Sequence, residues 1–301
     1  MMGKYTLIGG GTGFIGSHLA KHLREQDYRV TKVSRVPGRK RITWHKLQKK
    51  GLPSGVTSVV NLAGENVLNP LHAWTEGLKQ NVWNSRINTS ANMVKAIQKS
   101  NNVKVYINII GVSHYKPDDL KIYSELDKVE GYDFLSKLCL EWEKAATLPK
   151  HTAENTRAIK LRTGLVIGRG GGMIRAIWRP FMMGLGGLLG SGKQILPWIH
   201  LEDLCRLIQY CIENEQIKGP VNAVAPEIIT NEEFSKTFAS TFNRPCIFKM
   251  GEAMIKFLYG DERAPLLLSG AKIHPDKASS SGFQFQYPTV KAACLQMVEK
   301  Q

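Results

Sequence analysis

The chain has 301 residues, 43% of them hydrophobic, and a formal net charge of +16. Its longest uncharged apolar stretch, residues 180–192, is well short of the ~20 residues that cross a bilayer, so no membrane span is expected. Five cysteines without a C-x-x-C pair argue against a disulfide or zinc framework and for a reducing compartment. A chain of this length predicts one large domain with a smaller lobe, or two domains.

Strands alternate with helices through the first half of the sequence. The predicted elements are strand 4–8, helix 14–26, strands 29–34 and 56–64, helix 84–100, strand 104–111, helix 133–146 and strand 158–168. This alternation predicts an α/β fold with a Rossmann-type, doubly wound parallel sheet that carries helices on both faces.

The pattern changes after residue 168, where a glycine-rich stretch precedes an amphipathic helix and a returning strand. We expect a dinucleotide-binding domain over residues 1–168 that is completed by residues 197–225. Residues 169–196 and 226–301 then form a smaller, mainly helical C-terminal lobe that caps a substrate site.

The strongest motif is Gly10-x-x-Gly13-x-x-Gly16, which follows the first strand and opens the first helix. In this context the first glycine permits a tight turn, the second lets the backbone approach a pyrophosphate, and the third lets the helix pack on the strand. Unpaired N–H groups at the helix N-terminus then face the phosphates. An ordinary glycine-rich turn is the alternative, and the position of the motif favours dinucleotide binding.

A basic segment of the sequence indicates which dinucleotide the protein binds. Residues 28–64 include nine lysines and arginines and no acidic residue that could repel a phosphate. In dinucleotide-binding folds an acidic residue ~20 positions past the glycines binds the ribose of NAD, whereas an arginine accommodates the 2′-phosphate of NADP. Ser34 and Arg35 occupy that place, so we predict NADP(H), with Arg35 pairing the phosphate. A solvated basic loop is the alternative.

Two further patterns are assigned no ligand. The stretch GLLGSGKQ at 187–194 imitates a nucleotide P-loop, but Gln194 replaces the Mg²⁺-binding hydroxyl and Pro197 interrupts the helix, so a turn is predicted. His18 and His22 lie one helical turn apart without an accompanying carboxylate, and we predict a polar helix face and no metal site.

Five motifs stand in a recognisable order along the chain. They are GGTGFIG (10–16), NLAG (61–64), LRTGLVIGRGGG (161–172), WIHLEDL (198–204) and NAVAPE (222–227). Together they resemble the extended short-chain dehydrogenase/reductases. The chain is most similar to the atypical branch known as "epimerase family protein", whose bacterial members carry a cell-division-inhibitor-like label, because residues 264–288 resemble the tail domain of that branch. The resemblance covers essentially the whole chain.

The resemblance implies a Rossmann fold, a second lobe that forms the substrate pocket, and a set of cofactor contacts. These contacts are Gly10, Gly13, Phe14, Ile15 and Gly16 at the turn, Ser34 and Arg35 at the end of the second strand, Leu62 and Ala63 beside the adenosine, and Arg86 on the next helix. His200 and Asp203 are expected to fix a helix start. The alternative is that His200 is a catalytic base.

Typical members of this family use a Tyr-x-x-x-Lys pair, in which the tyrosine is the general acid/base. The resemblance places Lys137 at the lysine, where it would hold the nicotinamide ribose, and Asp133 at the tyrosine. Positions five apart diverge by ~140° around a helix, so Tyr132 is predicted to point away from the face of Lys137. Asp133 is interpreted as the partner of Lys137 in an i, i+4 ion pair, because a carboxylate ordinarily has no proton to donate at neutral pH.

The family's other hydroxyl, a Ser or Thr after the fifth strand, is displaced as well. Ser113 and Tyr115 follow slightly later, in a loop at the carboxyl edge of the sheet, where ligands bind in open α/β sheets. Tyr115 is the predicted substitute acid/base, with His114 as another candidate. The alternative is that both line the pocket without taking part in the chemistry.

Two functions follow from these observations. The first is an NADP(H)-dependent oxidoreductase or epimerase that acts on an unknown small carbonyl or alcohol. The second is a catalytically silent NADPH-binding sensor or assembly scaffold, which would have a protein partner. Nucleic-acid binding is not expected, because the cations cluster where a cofactor phosphate is predicted. No presequence is readable, so a cytoplasmic location is expected, with the mitochondrial matrix as the alternative.

Overall fold

A seven-stranded parallel sheet lies at the centre of the computed structural model, which describes residues 4–68 and 72–299. In chain order the strands are β1 (Tyr5–Gly9), β2 (Arg29–Ser34), β3 (Arg41–Thr43), β4 (Ser58–Asn61), β5 (Val105–Gly111), β6 (Ile122–Tyr123), β7 (Arg157–Thr163), β8 (Leu165–Ile167), β9 (Gly187–Leu189), β10 (Trp198–His200), β11 (Gly219–Ala223), β12 (Phe248–Met250) and β13 (Lys272–Ile273). The sheet order is β3-β2-β1-β4-β5-β7-β11, with every neighbouring pair parallel. This arrangement confirms the predicted Rossmann-type fold.

Helices cover both faces of the sheet. In chain order they are α1 (Phe14–Glu25), α2 (Trp44–Lys50), α3 (Glu76–Gln98), α4 (Phe134–Ala145), α5 (Lys150–Ala153), α6 (Gly172–Met182), α7 (Leu201–Glu213), α8 (Asn231–Ser240), α9 (Glu252–Tyr259), α10 (Pro265–Leu268), α11 (Asp276–Ser280) and α12 (Val290–Glu299). Helix α1 packs against α7, whereas α3 packs against α2 and α4. None of the helices within the described ranges is both long and apolar enough to cross a membrane.

Successive residues of the central strands serve the two faces alternately. Ile8 packs into the core that contains α1 and α7, and Leu7 packs into the core that contains α2 and α3. All five residues of β1 are therefore buried, as expected for a parallel strand covered on both sides.

The predicted strand at 158–168 is two strands, β7 and β8, which are separated by Gly164. A Cβ at Gly164 would lie 2.6 Å from the Pro197 carbonyl oxygen, so the close passage of the chain at residue 197 requires glycine there. Strand β8 leaves the central sheet and pairs with β10 instead. This bend directs the chain into the second lobe.

Helix α3 begins at Glu76, well before the predicted start at residue 84. Thr75 accepts a hydrogen bond from the Leu78 backbone N–H and caps the helix. The longer helix carries Arg86 beneath the turn that follows β4.

The second lobe has its own apolar core between α6, α8 and α12. The buried rings of Phe181, Phe234 and Phe238 form its centre. The tail also returns to the central sheet, because α11 contacts β11, while β13 pairs with β6 in a separate two-stranded sheet. The predicted domain limits stay a prediction.

Candidate functional site

The predicted phosphate turn joins β1 to α1. Gly10 has a φ of +68°, in the left-handed region, and a Cβ there would lie 2.8 Å from the Leu62 carbonyl carbon. A Cβ at Gly16 would lie 2.4 Å from the Gly10 carbonyl oxygen, so α1 packs directly on the turn. Both positions require glycine for the reasons that the motif predicts.

The N-terminus of α1 is prepared for an anion. Gly13 is its N-cap and provides no side-chain cap, and the first helical turn holds no acidic residue. A Cβ at Gly13 would come no closer than 3.4 Å to a neighbouring atom, the Gly10 carbonyl oxygen. Unpaired N–H groups and the positive end of the helix dipole are thus available to a pyrophosphate. These residues fit the phosphates of a nicotinamide dinucleotide.

A glycine-rich loop at the start of the second lobe closes against this turn. A Cβ at Gly171 would lie 2.0 Å from Cδ2 of Phe14, and a Cβ at Gly168 would lie 3.3 Å from Cζ of the same ring. The Phe14 ring therefore occupies the space that side chains at these two positions would need. The predicted cofactor residue Phe14 thus stands at the junction of the two lobes, and Ile15 packs against the core that contains α1 and α7.

The turn after β4 lies directly against the phosphate turn. The backbone of Leu62 and Ala63 is what a Cβ at Gly10 would strike. The Ala63 backbone N–H donates to Asn61 Oδ1 at 3.3 Å, and buried Asn61 Nδ2 donates to Asn108 Oδ1 at 2.9 Å. The structure thus brings together two of the predicted cofactor segments and anchors the second of them through buried amides.

Arg35 stands just past the end of β2, as predicted. Its side chain is 86% exposed, and Nη1 lies 3.5 Å from Glu65 Oε2. The prediction that no acidic residue stands near Arg35 is wrong, because the acid-free window ends at residue 64 and Glu65 folds back to this place. An exposed ion pair contributes only about 0–1 kcal/mol, so a phosphate can displace Glu65. The buried Ser34 hydroxyl donates to the Val36 carbonyl oxygen and fixes the turn.

Arg86 supports the turn after β4 from the side of α3. Its Nη2 donates to the Glu65 carbonyl oxygen at 3.0 Å, and Nη1 donates to the Val82 carbonyl oxygen at 3.1 Å. Burial lowers the pKa of Arg86 to about 10. The guanidinium donates to backbone carbonyl oxygens in this structure. Its assignment as a cofactor contact stays a prediction.

Helix α4 begins at Phe134, so Tyr132 and Asp133 precede it. Asp133 is the N-cap and accepts a hydrogen bond from the Ser136 backbone N–H at 2.7 Å, while Ser136 Oγ accepts one from the Asp133 backbone N–H. The predicted ion pair between Asp133 and Lys137 is therefore wrong, because the carboxylate caps the helix. Lys137 is exposed on the first turn, and its contact with a ribose stays a prediction.

The prediction that Tyr132 points away from the face of Lys137 stays a prediction, but the angular argument behind it does not hold. Helical angular spacing does not apply to a residue that lies outside the helix. Tyr132 lines the same cavity as Ser113 and Asp133, and its Oη donates to the Ser113 carbonyl oxygen at 2.7 Å. Burial and then the charge of Asp133 raise the pKa of Tyr132, so the phenol keeps its proton at neutral pH.

Tyr115 lies in a buried polar network with Arg162, Asn222, Glu143 and His114. Tyr115 Oη accepts from Arg162 Nη1 at 2.6 Å and donates to Asn222 Oδ1 at 2.9 Å. Arg162 Nε donates to Glu143 Oε1 at 2.8 Å, and His114 Nε2 lies 3.2 Å from the same oxygen. The hydroxyl of Tyr115 is thus engaged by protein groups, and its catalytic assignment stays a prediction.

A cavity of about 270 Å³ opens at the carboxyl edge of the sheet. The sheet side contributes residues 111–113 at the end of β5 and 163–165 at the junction of β7 and β8, and the segment that begins α4 contributes Tyr132, Asp133 and Leu135. The second lobe closes the other side with residues 194–197 and part of α10. Open α/β sheets bind their ligands at this edge, so the cavity is the candidate substrate site.

The family assignment follows from the extent of a sequence match. A model described as the NAD dependent epimerase/dehydratase family matches residues 6–224, more than half of the chain. The chain belongs to this family. A second model, of a domain of unknown function, matches residues 251–297 of this epimerase/dehydratase-family protein.

Individual relatives confirm the predicted resemblance to epimerase family proteins. Human epimerase family protein SDR39U1 is 40% identical over 293 residues, which are 97% of this chain and 99% of the relative. Epimerase family protein Mb2239 of Mycobacterium bovis is 34% identical over 291 residues, 95% of either chain. Both alignments extend through the tail, which agrees with the resemblance noted at residues 264–288.

Solved structures support the same assignment. The crystal structure of human SDR39U1 with NADPH is similar with a TM-score of 0.96 at 40% identity, and the match covers 99% of this chain and 100% of that chain. A UDP-glucose 4-epimerase of Thermus thermophilus in complex with NAD has a TM-score of 0.73 at 13% identity over 98% of both chains, and shares the fold. The predicted NADP(H) matches the cofactor of the human structure.

The prediction that His200 fixes a helix start is confirmed in this epimerase-family chain, whereas the Asp203 carboxylate binds elsewhere. His200 is the N-cap of α7, and its Nδ1 accepts a hydrogen bond from the Glu202 backbone N–H at 3.3 Å. Buried Asp203 accepts hydrogen bonds from the backbone N–H groups of Gln286 and Tyr287, each at 2.8 Å. His200 therefore fixes the helix start, and Asp203 ties the helix to the tail.

Four polar residues of the cavity were not predicted as site residues from the sequence. They are Thr163, Gln194, Asn231 and Ser269. Thr163 ends a predicted strand inside the LRTG segment, and a polar residue at the carboxyl end of a parallel strand is the signal that could have identified it. Gln194 and Asn231 reach the cavity only through the packing of the lobe, which the sequence pattern does not reveal.

The buried network makes the stability of this epimerase-family protein depend on pH. Burial alone raises the pKa of the Glu143 carboxyl, but hydrogen bonds from His114 and Arg162 outweigh it and lower this pKa to about 2. Burial lowers the pKa of His114, so the folded imidazole is neutral. The unfolded chain takes up both protons at higher pH, so the free energy of unfolding should fall below about pH 6.5 and again below about pH 4.3.

Urea unfolding across this pH range checks the expectation, with His114→Gln as the comparison. This variant removes the titrating imidazole and should flatten the loss of stability between about pH 7.5 and about pH 5.5, while the loss at lower pH remains. Identical pH dependence in the wild type and His114→Gln would contradict the role assigned to His114.

Proposed function

We propose that this protein is an NADP(H)-dependent oxidoreductase that reduces a small carbonyl compound, or oxidises the corresponding alcohol, in the cavity at the sheet edge. If the protein first oxidises a substrate and then reduces the product again, the overall reaction is an epimerisation. The observation that carries the proposal is the Tyr132 hydroxyl, a protonated phenol that lines this cavity beside the ends of β5 and β7.

The proposed cofactor is NADP(H), the form bound in the structure of the human relative. The residues that would hold it are Gly10, Gly13, Phe14, Ile15 and Gly16 at the pyrophosphate, Ser34 and Arg35 at the 2′-phosphate, Leu62 and Ala63 beside the adenosine, Lys137 at the nicotinamide ribose, and Arg86 behind the turn. When bound, NADPH supplies a hydride to a carbonyl carbon. The open N-terminus of α1 supports this assignment, because it accepts the charge of the pyrophosphate.

Tyr132 gives the proton that the carbonyl oxygen takes up. Its O–H is at the cavity wall, where it donates to the Ser113 carbonyl oxygen until a substrate oxygen replaces that acceptor. The side chain is 40% exposed, so the phenolate can regain a proton from water. Tyr115 is a poorer acid here, since its hydroxyl already bonds Arg162 and Asn222. We therefore place proton transfer at Tyr132 and a structural role at Tyr115.

Arg35→Ala is expected to weaken NADPH binding by about 10- to 100-fold and to leave NADH binding unchanged. A hydrogen bond to a charged group contributes about 1.5–3 kcal/mol, and only NADPH carries the 2′-phosphate that would pair with Arg35. Titration calorimetry of both cofactors against the wild type and the variant measures the difference.

Lys49→Ala is the matched control for this experiment. It removes the same unit of charge from the exposed surface of α2, so it should leave the preference for NADPH intact. If Arg35→Ala weakened NADH and NADPH equally, the assignment of Arg35 to the 2′-phosphate would be wrong.

The alternative is a catalytically silent NADPH sensor or scaffold, and it predicts a different result. NADPH would raise the melting temperature, but no carbonyl compound in a broad panel would be turned over. A protein partner belongs to that alternative and stays a prediction, as do the cytoplasmic location and the lack of nucleic-acid binding.

A further inference from the structure

The walls of the cavity narrow the chemical class of the substrate. Apolar side chains reach it from the turn after β4, from α4, from β8 and from the second lobe. They include Leu68, Leu135, Leu165, Met173, Leu196 and Leu267. A hydrocarbon group placed among them leaves water for an apolar surface, which favours binding in proportion to the area buried.

The cavity has few groups that could bind an anion. Among its lining residues in the described part of the chain, Asp133 is the one formally charged side chain, and no lysine, arginine or histidine takes part. The Asp133 carboxylate is itself an acceptor, bound to the Ser136 backbone N–H. A diphosphate buried here would have no cation to pair with and would face a carboxylate.

Two cations next to the lining segments are committed to other groups. Arg263 is buried and donates to the carbonyl oxygens of Tyr259, Val67 and His72. Lys272 Nζ donates to the Asp119 carbonyl oxygen. Neither side chain could turn to a phosphate in the cavity without leaving these carbonyl oxygens.

The N-termini of α4 and α8 do not replace the missing cations. Asp133 caps α4, and Thr230 caps α8, where Glu233 completes a capping box. Both caps occupy the backbone N–H groups that would otherwise bind an anion, and both ends carry acidic side chains.

One lining residue, Gln194, presents an acceptor and not a donor at the cavity wall. Gln194 Nε2 donates to the carbonyl oxygens of Leu189 and Leu267, which fixes the amide orientation. Its Oε1 is buried without a hydrogen-bond partner within the described residues. Because an amide oxygen accepts hydrogen bonds and never donates them, this group adds no favourable contact for a phosphate oxygen.

We infer that the substrate is an uncharged carbonyl compound with a mainly hydrocarbon body, and not a nucleoside diphosphate sugar. The inference rests on the proposed function for the reaction, but only on the cavity for the class of ligand. It separates this chain from fold neighbours such as the Thermus thermophilus UDP-glucose 4-epimerase, at 13% identity.

Titration calorimetry on the full chain saturated with NADP⁺ tests the inference without turnover. The probes are 2-hexanone, 2-octanone and 2-decanone, with UDP-glucose as the competing class. Affinity should rise by about fourfold for each added methylene until the cavity is full, and UDP-glucose should not bind detectably. Binding of UDP-glucose as tight as that of 2-decanone, or ketone affinity that does not grow with length, overturns the inference.

Two variants locate the binding to this cavity. Leu196→Arg and Leu267→Arg each add a cation to the wall and should weaken 2-decanone binding by at least tenfold. Leu120→Arg adds the same charge to a side chain that is 94% exposed and outside the cavity, and should leave the ketone affinity unchanged. Equal effects of all three substitutions would overturn the location, and the wild-type series stands even if a cavity variant does not fold.

The two proposals fail in distinguishable ways. Ketones that bind with the expected length dependence but never oxidise NADPH would contradict the proposed reduction and support the ligand class. NADPH oxidation by UDP-sugars alone would support the reaction and overturn the ligand class.

Discussion

Tyr132→Phe is expected to lower kcat/KM for NADPH-dependent carbonyl reduction by about 10²–10⁴-fold, with NADPH affinity unchanged. The phenol is the protonated acid in the cavity wall, and phenylalanine keeps the ring while it removes the proton donor. The carbonyl oxygen would then have to take its proton from water. Steady-state kinetics with the most active carbonyl compound of a panel, together with calorimetry for NADPH, measure the two effects separately.

Tyr115→Phe distinguishes this assignment from the one made on the sequence. It leaves Arg162 and Asn222 short of one partner each inside the protein, so a loss of stability of about 1–3 kcal/mol is expected. Tyr28→Phe is the matched control. It removes a tyrosine hydroxyl that donates to Glu213, and neither residue lines the cavity. If folded Tyr115→Phe lost turnover and Tyr132→Phe kept it, the acid would be Tyr115.

Glu143→Gln should lower the free energy of unfolding by about 3–5 kcal/mol, because it leaves a buried guanidinium without its countercharge. Glu143 accepts from Arg162 Nε at 2.8 Å, and Lys160 Nζ lies 3.7 Å from its other oxygen. Arg162 is 4% exposed, so water cannot replace the lost carboxylate. Denaturant unfolding at neutral pH gives the change.

Glu141→Gln is the control on the same helix. Glu141 pairs with Lys144 at the surface, with 44% of its own side chain exposed, and its loss should cost less than about 1 kcal/mol. The double variant Glu143→Leu, Arg162→Met removes both charges together and should be more stable than Glu143→Gln alone. Equal losses in Glu141→Gln and Glu143→Gln would show that the network contributes little.

The fold and the phosphate turn could be predicted because their determinants are local. The glycine spacing from Gly10 to Gly16 acts within one turn, and the alternation of strands and helices fixes a parallel sheet whatever the loops do. The structure confirms the parallel sheet and shows why Gly10 and Gly16 cannot carry side chains.

The position of the proposed proton donor, Tyr132, was harder to predict because it depends on where a helix begins. The angular argument about Tyr132 assumed that residue 132 is helical, whereas the capping box of Asp133 and Ser136 begins the helix at Phe134. The D-x-x-S pattern is visible in the sequence, and used as a cap it would have placed Tyr132 correctly.

The network around Tyr115 has no comparable signal. Its members come from β7, β11, α4 and the loop after β5, so their spacing along the chain says nothing about their contacts. Glu65 is a similar case. It lies one residue beyond the acid-free segment 28–64, and it reaches Arg35 only because of the path that the chain takes after β4.

The late strand β11 and its preceding helix α7 belong physically to the sheet, although they follow the first part of the lobe in the chain. A fragment cut at residue 168 would expose one whole edge of β7, and unpaired strand edges recruit other chains into aggregates. Chimaeras that exchange substrate specificity between relatives should therefore transplant the capping segments and leave residues 201–223 with their original sheet.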